Sequence, residues 1–201
     1  MLNAKSSERR QNYQRSLEKH GESPKSLQWK DYKSSSNRYR QLVTDIDIEN
    51  CSILDAGCGM GDLLPYLLSK TSNIDYLGVD VTPEFIEIAR RRYEGYEFRV
   101  ANPFEDDFGD KYDVVISSGV MNSSSADWMN ERKEMISKLF GLAKKILVFN
   151  MAGSIVQIDG DSQRVNYADG LDILKYCSSL TPKVILRNHY HAKDFTIVMY
   201  R

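Results

Sequence analysis

The densest concentration of residues able to do chemistry is Asp55-Ala56-Gly57-Cys58-Gly59-Met60-Gly61-Asp62. Three glycines at alternate positions let a backbone turn sharply and let a ligand approach where a Cβ would otherwise stand. Asp80 lies nineteen positions after Gly61, at the end of the next apolar run, where one carboxylate can accept both hydroxyl protons of a ribose. Together these features fit a nucleoside ligand. Thr82-Pro83-Glu84 brings its own capping residue and a proline suited to a first helical turn, so Asp80 is expected to be free of capping duty. A second group, His189, Tyr190 and His191, stands near the C-terminus. Imidazole titrates near neutrality, which makes His191 the candidate general base, and strand alternation predicts His189 on the same face. Cys51, Cys58 and Cys177 form no C-x-x-C pair, so neither a disulfide framework nor a metal site is expected.

Positioning these residues requires a scaffold, and the pattern supplies one. After Ile48-Glu49-Asn50, short apolar runs alternate with amphipathic segments about 10 to 15 residues long, as in strand-helix units on a parallel sheet. Strands are predicted at 52–55, 76–79, 97–100, 114–117 and 146–150, with helices starting near Asp62, Pro83 and Asp127 and another at 171–180. Two strand-like runs at 183–190 and 195–200, separated by His191-Ala192-Lys193-Asp194, predict an antiparallel hairpin. Its turn should lie at the carboxyl edge of the sheet, where open α/β sheets bind ligands. Ahead of all this, a helix over 7–20 carries Tyr13 and Leu17 on one face, and Gly21 with Pro24 breaks it. A second helix, capped by Ser36 or Asn37, buries Tyr39, Leu42, Val43 and Ile46. Residues 1–45 therefore read as a helical cap or lid, 46–201 as one α/β domain, and 151–168 as a substrate-side loop or insertion.

Composition bounds the possibilities. A chain of 201 residues with 41% apolar and 27% charged residues has room for one globular domain and a modest appendage. No run approaches the roughly 18 to 20 apolar residues of a membrane span, and the first twenty positions are charged where a signal peptide is apolar, so a cytoplasmic protein without a membrane partner is expected. Residues 1–40 hold ten Lys/Arg against four Asp/Glu, net +6, whereas the remainder carries −7. A basic arm can contact nucleic acid, which would show steep salt dependence, but no aromatic-basic recognition motif accompanies it.

The stretch from Asp55 to Gly61, taken with Asp80-Val81-Thr82-Pro83 and with Ile86, Ala89 and Arg90, resembles the class I S-adenosylmethionine-dependent methyltransferases. That resemblance implies a Rossmann-like seven-stranded sheet ending in an antiparallel hairpin, with S-adenosylmethionine as donor and S-adenosylhomocysteine as product. It implies Asp55, Gly57, Cys58, Gly59 and Gly61 along the methionine part, Asp80 and Val81 at the ribose, and the 101–104 loop with Asn102 and Pro103 at the adenine. Asn102 stands where the family commonly has aspartate; an asparagine can accept from the adenine amino group and donate to a ring nitrogen. Tyr112 to Gly119 resembles the fourth strand of the family, whose end from Ser117 to Asn122 faces cofactor and substrate. The resemblance covers about residues 46 to 201. More loosely, His20-Gly21-Glu22-Ser23-Pro24, Leu27, Trp29, Tyr167-Ala168-Asp169 and the chain's ending resemble small bacterial methyltransferases of undetermined substrate.

Methyl transfer from a sulfonium is an in-line displacement, so alignment and exclusion of water do most of the work. Where the methyltransferases of planar amino groups have Asn/Asp-Pro-Pro-Tyr/Phe, this chain has Ser117-Ser118-Gly119-Val120, which favours O- or N-methylation of a small metabolite. Tyr13, Trp29, Asn122, Met151 and His189 are the candidate acceptor contacts, and Arg40 or its neighbour Arg38 could pair with the donor's carboxylate. Two other classes compete. A nicotinamide-dependent oxidoreductase uses G-x-G-x-x-G, but the glycines here fall at 57, 59 and 61, and an RNA-binding protein would rely on the basic arm.

Overall fold

The computed structural model describes residues 2–109, 111–121, 126–156 and 166–201, with residues 2–9 by their backbone alone. Strands β1 (Cys51–Ala56), β2 (Ile74–Asp80), β3 (Glu97–Val100), β4 (Tyr112–Ser118), β5 (Ala143–Ser154), β7 (Val184–Arg187) and β8 (Asp194–Tyr200) line up in the order β3-β2-β1-β4-β5-β8-β7. The first five are mutually parallel, and β8 enters antiparallel between β5 and β7. A two-residue β6 (Ala168–Asp169) pairs with the end of β5, so an eighth strand joins the seven expected. It arises where the 151–168 segment returns to the sheet.

Both faces of the sheet are covered, which is why its parallel strands read as apolar runs and not as alternating ones. On one face Ile53, Val114, Ile116 and Val148 meet helices α2 (Tyr32–Val43), α3 (Leu64–Leu68) and α4 (Pro83–Arg92). On the other, Leu54, Val115 and Leu147 meet α5 (Trp128–Leu142) and α6 (Gly170–Leu180). Neighbouring residues of one strand thus serve opposite layers, as the pleat requires.

Several boundaries move from their expected places for identifiable reasons. Helix α2 starts at Tyr32, five or six residues earlier than a cap at Ser36 or Asn37 would allow, because Asp31 accepts the Ser34 N–H at 2.8 Å. β7 ends at Arg187, so 188–193 form the hairpin turn and strand alternation does not govern His189 and His191. The expected cap comprises two pieces. Helix α2 buries Tyr39, Leu42 and Val43 in the same core as the sheet, whereas α1 (Leu2–His20) and a 3-10 turn (Pro24–Leu27) lie over Met60, Phe85 and Ile88 through Tyr13, Leu17 and Leu27. Among the described residues no helix is long and apolar enough to cross a membrane.

Candidate donor and acceptor site

β1 runs out at Ala56 into the glycine turn. The N–H groups of Gly57 and Cys58 both donate to the Val79 carbonyl, at 2.8 and 2.9 Å, and Gly61 donates to Cys58 at 3.0 Å. This pins the turn against the end of β2. Gly57, Gly59 and Gly61 all have positive φ, at 83°, 55° and 79°, a region costly for any residue with a Cβ. Side chains, too, crowd the loop. A Cβ on Gly57 would lie 2.1 Å from Val120, one on Gly59 2.8 Å from Leu27, and one on Gly119 2.7 Å from Trp29. The close approach that requires glycine is therefore made, within the protein itself, by the 3-10 turn and the β4 end.

Asp80 sits half-buried at the tip of β2, between the turn and the next loop. Its Oδ2 accepts the Gly59 N–H at 3.1 Å and its Oδ1 the Thr82 N–H at 2.9 Å. The Thr82 side chain makes no capping bond, so the capping expected of it is not made, and Asp80 holds only the N–H of Thr82 itself, in the turn ahead of the helix. Two N–H donors leave further lone pairs on the carboxylate for a diol. Burial raises the Asp80 pKa, and the backbone donors hold it partly down. One strand away, Asp55 is wholly buried and accepts the Tyr76 hydroxyl proton at 2.9 Å. Burial pushes it up to about 7, the Tyr76 bond opposing and the Asp80 charge adding to the shift. Cys58, buried beside both carboxylates, has its thiol pKa raised by desolvation and is no nucleophile at neutral pH.

The remaining donor-side residues divide into those that reach the turn and those that do not. The Ala101 N–H donates to the Asp80 carbonyl at 3.0 Å, which brings the 101–104 loop beside Asp80 and the half-exposed Val81. Asn102 Oδ1 accepts the Phe104 N–H at 3.0 Å, so it shapes its own loop, and Pro103 is buried beneath. Ser117 is buried with its hydroxyl on the Ala56 carbonyl at 2.9 Å, and its side chain ties β4 to β1. Arg40 is exposed and lines a groove between α2 and α3.

On the acceptor side, Asn150 at the carboxyl end of β5 accepts the Gly119 N–H at 2.8 Å and donates to Ser118 at 3.2 Å. Trp29 covers Gly119, and the Arg38 guanidinium stacks over its ring at 4.9 Å. Arg38 Nε donates in turn to Asp194 at 2.7 Å in a buried ion pair, and the Tyr190 hydroxyl donates to the same carboxylate at 2.7 Å. Thr196 lies 2.9 Å from that hydroxyl. This network joining α2, the hairpin turn and β8 was missed in the sequence, although Asp194 and Thr196, polar at alternate positions of an otherwise apolar strand, were its signal.

The two hairpin histidines are exposed, His189 edge-on to Tyr190 at 6.0 Å. His191 Nδ1 accepts the Lys193 N–H at 3.1 Å, and partial burial with the nearby Arg38 charge lowers its pKa. Tyr13 meets Phe85 edge-on at 5.7 Å. Met151 is fully buried with Phe195 on the α5–α6 face, because one step along β5 from Asn150 reverses the side chain, so it forms core and does not line the acceptor wall. Asn122 lies outside the described residues. Among the described residues no cluster of His, Cys, Asp or Glu could hold a metal ion.

Comparisons with known proteins find the same fold among methyltransferases. A family model described as a methyltransferase domain matches residues 54–145. Rv1506c of Mycobacterium tuberculosis, provisionally named a methyltransferase, is 29% identical over 156 residues, covering 74% of this chain and 92% of that protein. The malonyl-[acyl-carrier protein] O-methyltransferase of Acetivibrio thermocellus is 31% identical over 119 residues, 56% of this chain but 40% of that longer protein. Among solved structures, the DhpI complex with S-adenosylhomocysteine superposes with a TM-score of 0.66 at 14% identity, covering 94% of this chain and 92% of that one. The magnesium protoporphyrin IX methyltransferase of Synechocystis with bound S-adenosylhomocysteine gives 0.60 at 20% identity, with coverage of 81% and 79%.

Proposed function

We propose that this chain is a class I S-adenosylmethionine-dependent methyltransferase that moves the methyl group to an oxygen or nitrogen atom of a small-molecule metabolite. The observation that carries the donor half is the union of the glycine turn with Asp80, whose carboxylate is anchored by the Gly59 N–H yet keeps acceptor capacity at the carboxyl edge. Those residues fit the donor: Asp80 with Val81 for the ribose, the 101–103 loop for the base, and the Gly57–Gly61 backbone with buried Asp55 for the methionine portion. When bound, S-adenosylmethionine supplies the electrophilic sulfonium methyl. A cationic ligand also suits Asp55, whose pKa near 7 records a buried carboxylate with no cation bonded to it among the described residues.

The protein's own contribution is alignment and shelter. Trp29 and Leu27 close over the turn, Asn150 orients the Gly119 backbone, and the hairpin turn brings His189 and His191 to the same edge. With Nδ1 engaged by Lys193 and its pKa lowered, His191 is a neutral imidazole at pH 7, able to take a proton from an acceptor at Nε2. A small acceptor is supported by the structural neighbour named for magnesium protoporphyrin IX, and an oxygen acceptor by the relative named for O-methylation of malonyl-[acyl-carrier protein], whose malonyl group is carried on a protein.

Calorimetric titration with S-adenosylmethionine and S-adenosylhomocysteine, with NADH and a short RNA as controls, tests the reading. Micromolar binding of the first pair alone is the expected result. Binding of NADH or RNA in their place sinks it. Once an acceptor is found by metabolite screening, His191→Asn should abolish turnover with donor binding preserved; unchanged turnover removes the base.

A further inference from the structure

The exposed side of α2 faces a groove that the methyl-transfer reading does not use. Tyr32, Ser36, Tyr39, Arg40 and Val43 recur at helical spacing along one wall. Asp62, Pro65, Tyr66, Ser69 and Lys70 recur with the same period along the α3 wall opposite. Tyr93 and Pro24 close the end nearest the glycine turn. The open groove offers a volume of about 730 Å³, within the range of roughly 300 to 1,000 Å³ usual for small-molecule sites. The opposite side of α2 is already spent on the hairpin through Asn37, Arg38 and the Gln41 carbonyl, so the groove is not a gap in that packing.

We propose that this groove is a second ligand site, separate from the donor site, for a small aromatic anion such as an aryl phosphate or aryl carboxylate. Its lining is aromatic: Tyr66 and Tyr93 are partly exposed along it, and the nearly buried Tyr39 packs against Tyr66 at 5.4 Å with the rings tilted. One end is cationic. Lys70 Nζ donates to the Ile46 carbonyl at 3.1 Å, which ties its ammonium to the chain just beyond α2 and leaves two protons to donate. Arg40, one turn before the end of α2, has no hydrogen bond or ion pair to its guanidinium among the described residues. The carboxylate at the other end, Asp62, is neutralised by Arg92 at 3.0 Å and does not repel an anion held by Arg40 and Lys70. The Tyr66 hydroxyl donates to Ser36 at 2.6 Å, and this pair offers further polar contacts within the groove.

The groove and the donor site share a boundary at Tyr93. A Cβ on Gly61 would lie 2.9 Å from the Tyr93 ring, so an occupant pressing on Tyr93 bears on the back of the glycine turn.

The test is calorimetric titration of the full-length protein with 1-naphthyl phosphate, in the presence of saturating S-adenosylhomocysteine so that the donor site cannot accept the probe. One bound naphthyl phosphate per chain is expected. Loss of a charge-assisted contact in Arg40→Ala or Lys70→Ala should weaken binding about tenfold or more. Both residues are exposed, so both variants should fold, and a matching S-adenosylhomocysteine titration reads the donor site in the same samples. Absence of naphthyl phosphate binding, competition between the two ligands for one site, or affinity unchanged in both variants overturns the proposal. Failure of S-adenosylhomocysteine alone to bind bears on the donor reading and leaves the groove to be judged by the same titration without it.

Discussion

On the β1–β2 side of the sheet, Asp55 and Asp80 are held by a tyrosine hydroxyl and by backbone N–H groups, with no cationic side chain bonded to either among the described residues. On the β8 side, Asp194, buried like Asp55, instead meets Arg38 at 2.7 Å and the Tyr190 hydroxyl at 2.7 Å. Burial raises the pKa of all three carboxylates, and only Asp194 has a guanidinium to oppose it. The difference separates a receptor from a clamp. The first pair keeps negative potential in reserve for an incoming ligand, whereas the charge of Asp194 is consumed in holding α2 and Trp29 onto the hairpin.

The most severe way to break the comparison is Arg38→Ala, which strands Asp194 without its cation. Unfolding by urea should show a loss of about 3 to 5 kcal/mol, the cost of an uncompensated buried charge. A loss within the range of ordinary surface substitutions would mean that the clamp is idle. Next comes Asp80→Ala, which should weaken S-adenosylmethionine binding by about 1.5 to 3 kcal/mol by calorimetry. An unchanged dissociation constant would remove Asp80 from the ribose.

A pH series sharpens the receptor half. With Asp55 near 7 in the folded state and 3.8 as its ordinary value, the folded protein binds the extra proton between those limits. Stability is therefore greatest below about pH 4 for this group and falls as pH rises toward 7, with a slope of at most about 1.4 kcal/mol per pH unit. Asp55→Asn keeps an acceptor for Tyr76 and should flatten that slope in thermal melts; an identical pH profile contradicts the assignment. The smallest effect belongs to the outer ion pairs of Glu22 with Arg91 and Arg92, which fasten the end of α1 to α4. Because the Arg91 pair is exposed, Arg91→Ala should change stability by less than about 0.5 kcal/mol.

How much of this was legible before the fold was known varies by residue. The strand-helix alternation, the glycine turn and Asp80 at the end of β2 were readable because each is a local pattern: an apolar run, a turn that demands positive φ, a carboxylate at a strand terminus. The hairpin was readable for the same reason. Its inner limit was not, because β7 stops at Arg187, whose guanidinium is bound to the carbonyls of Gln41 in α2 and of Thr44 just past its end. Choosing between Arg38 and Arg40 was equally beyond a sequence, since they differ only in which side of α2 they occupy.

By itself, then, the amino-acid sequence determined the class of scaffold and the backbone chemistry of the donor turn, because both follow from periodicity and from the steric limits of single residues. The tertiary structure alone decided which side chains fill the space over the glycines, that Arg38 is spent on Asp194 across 156 positions of chain, and that Met151 belongs to the core while Asn150 faces the site. Those outcomes depend on contacts between distant segments, and a buried charge finds its partner by position in space, which no local spacing records.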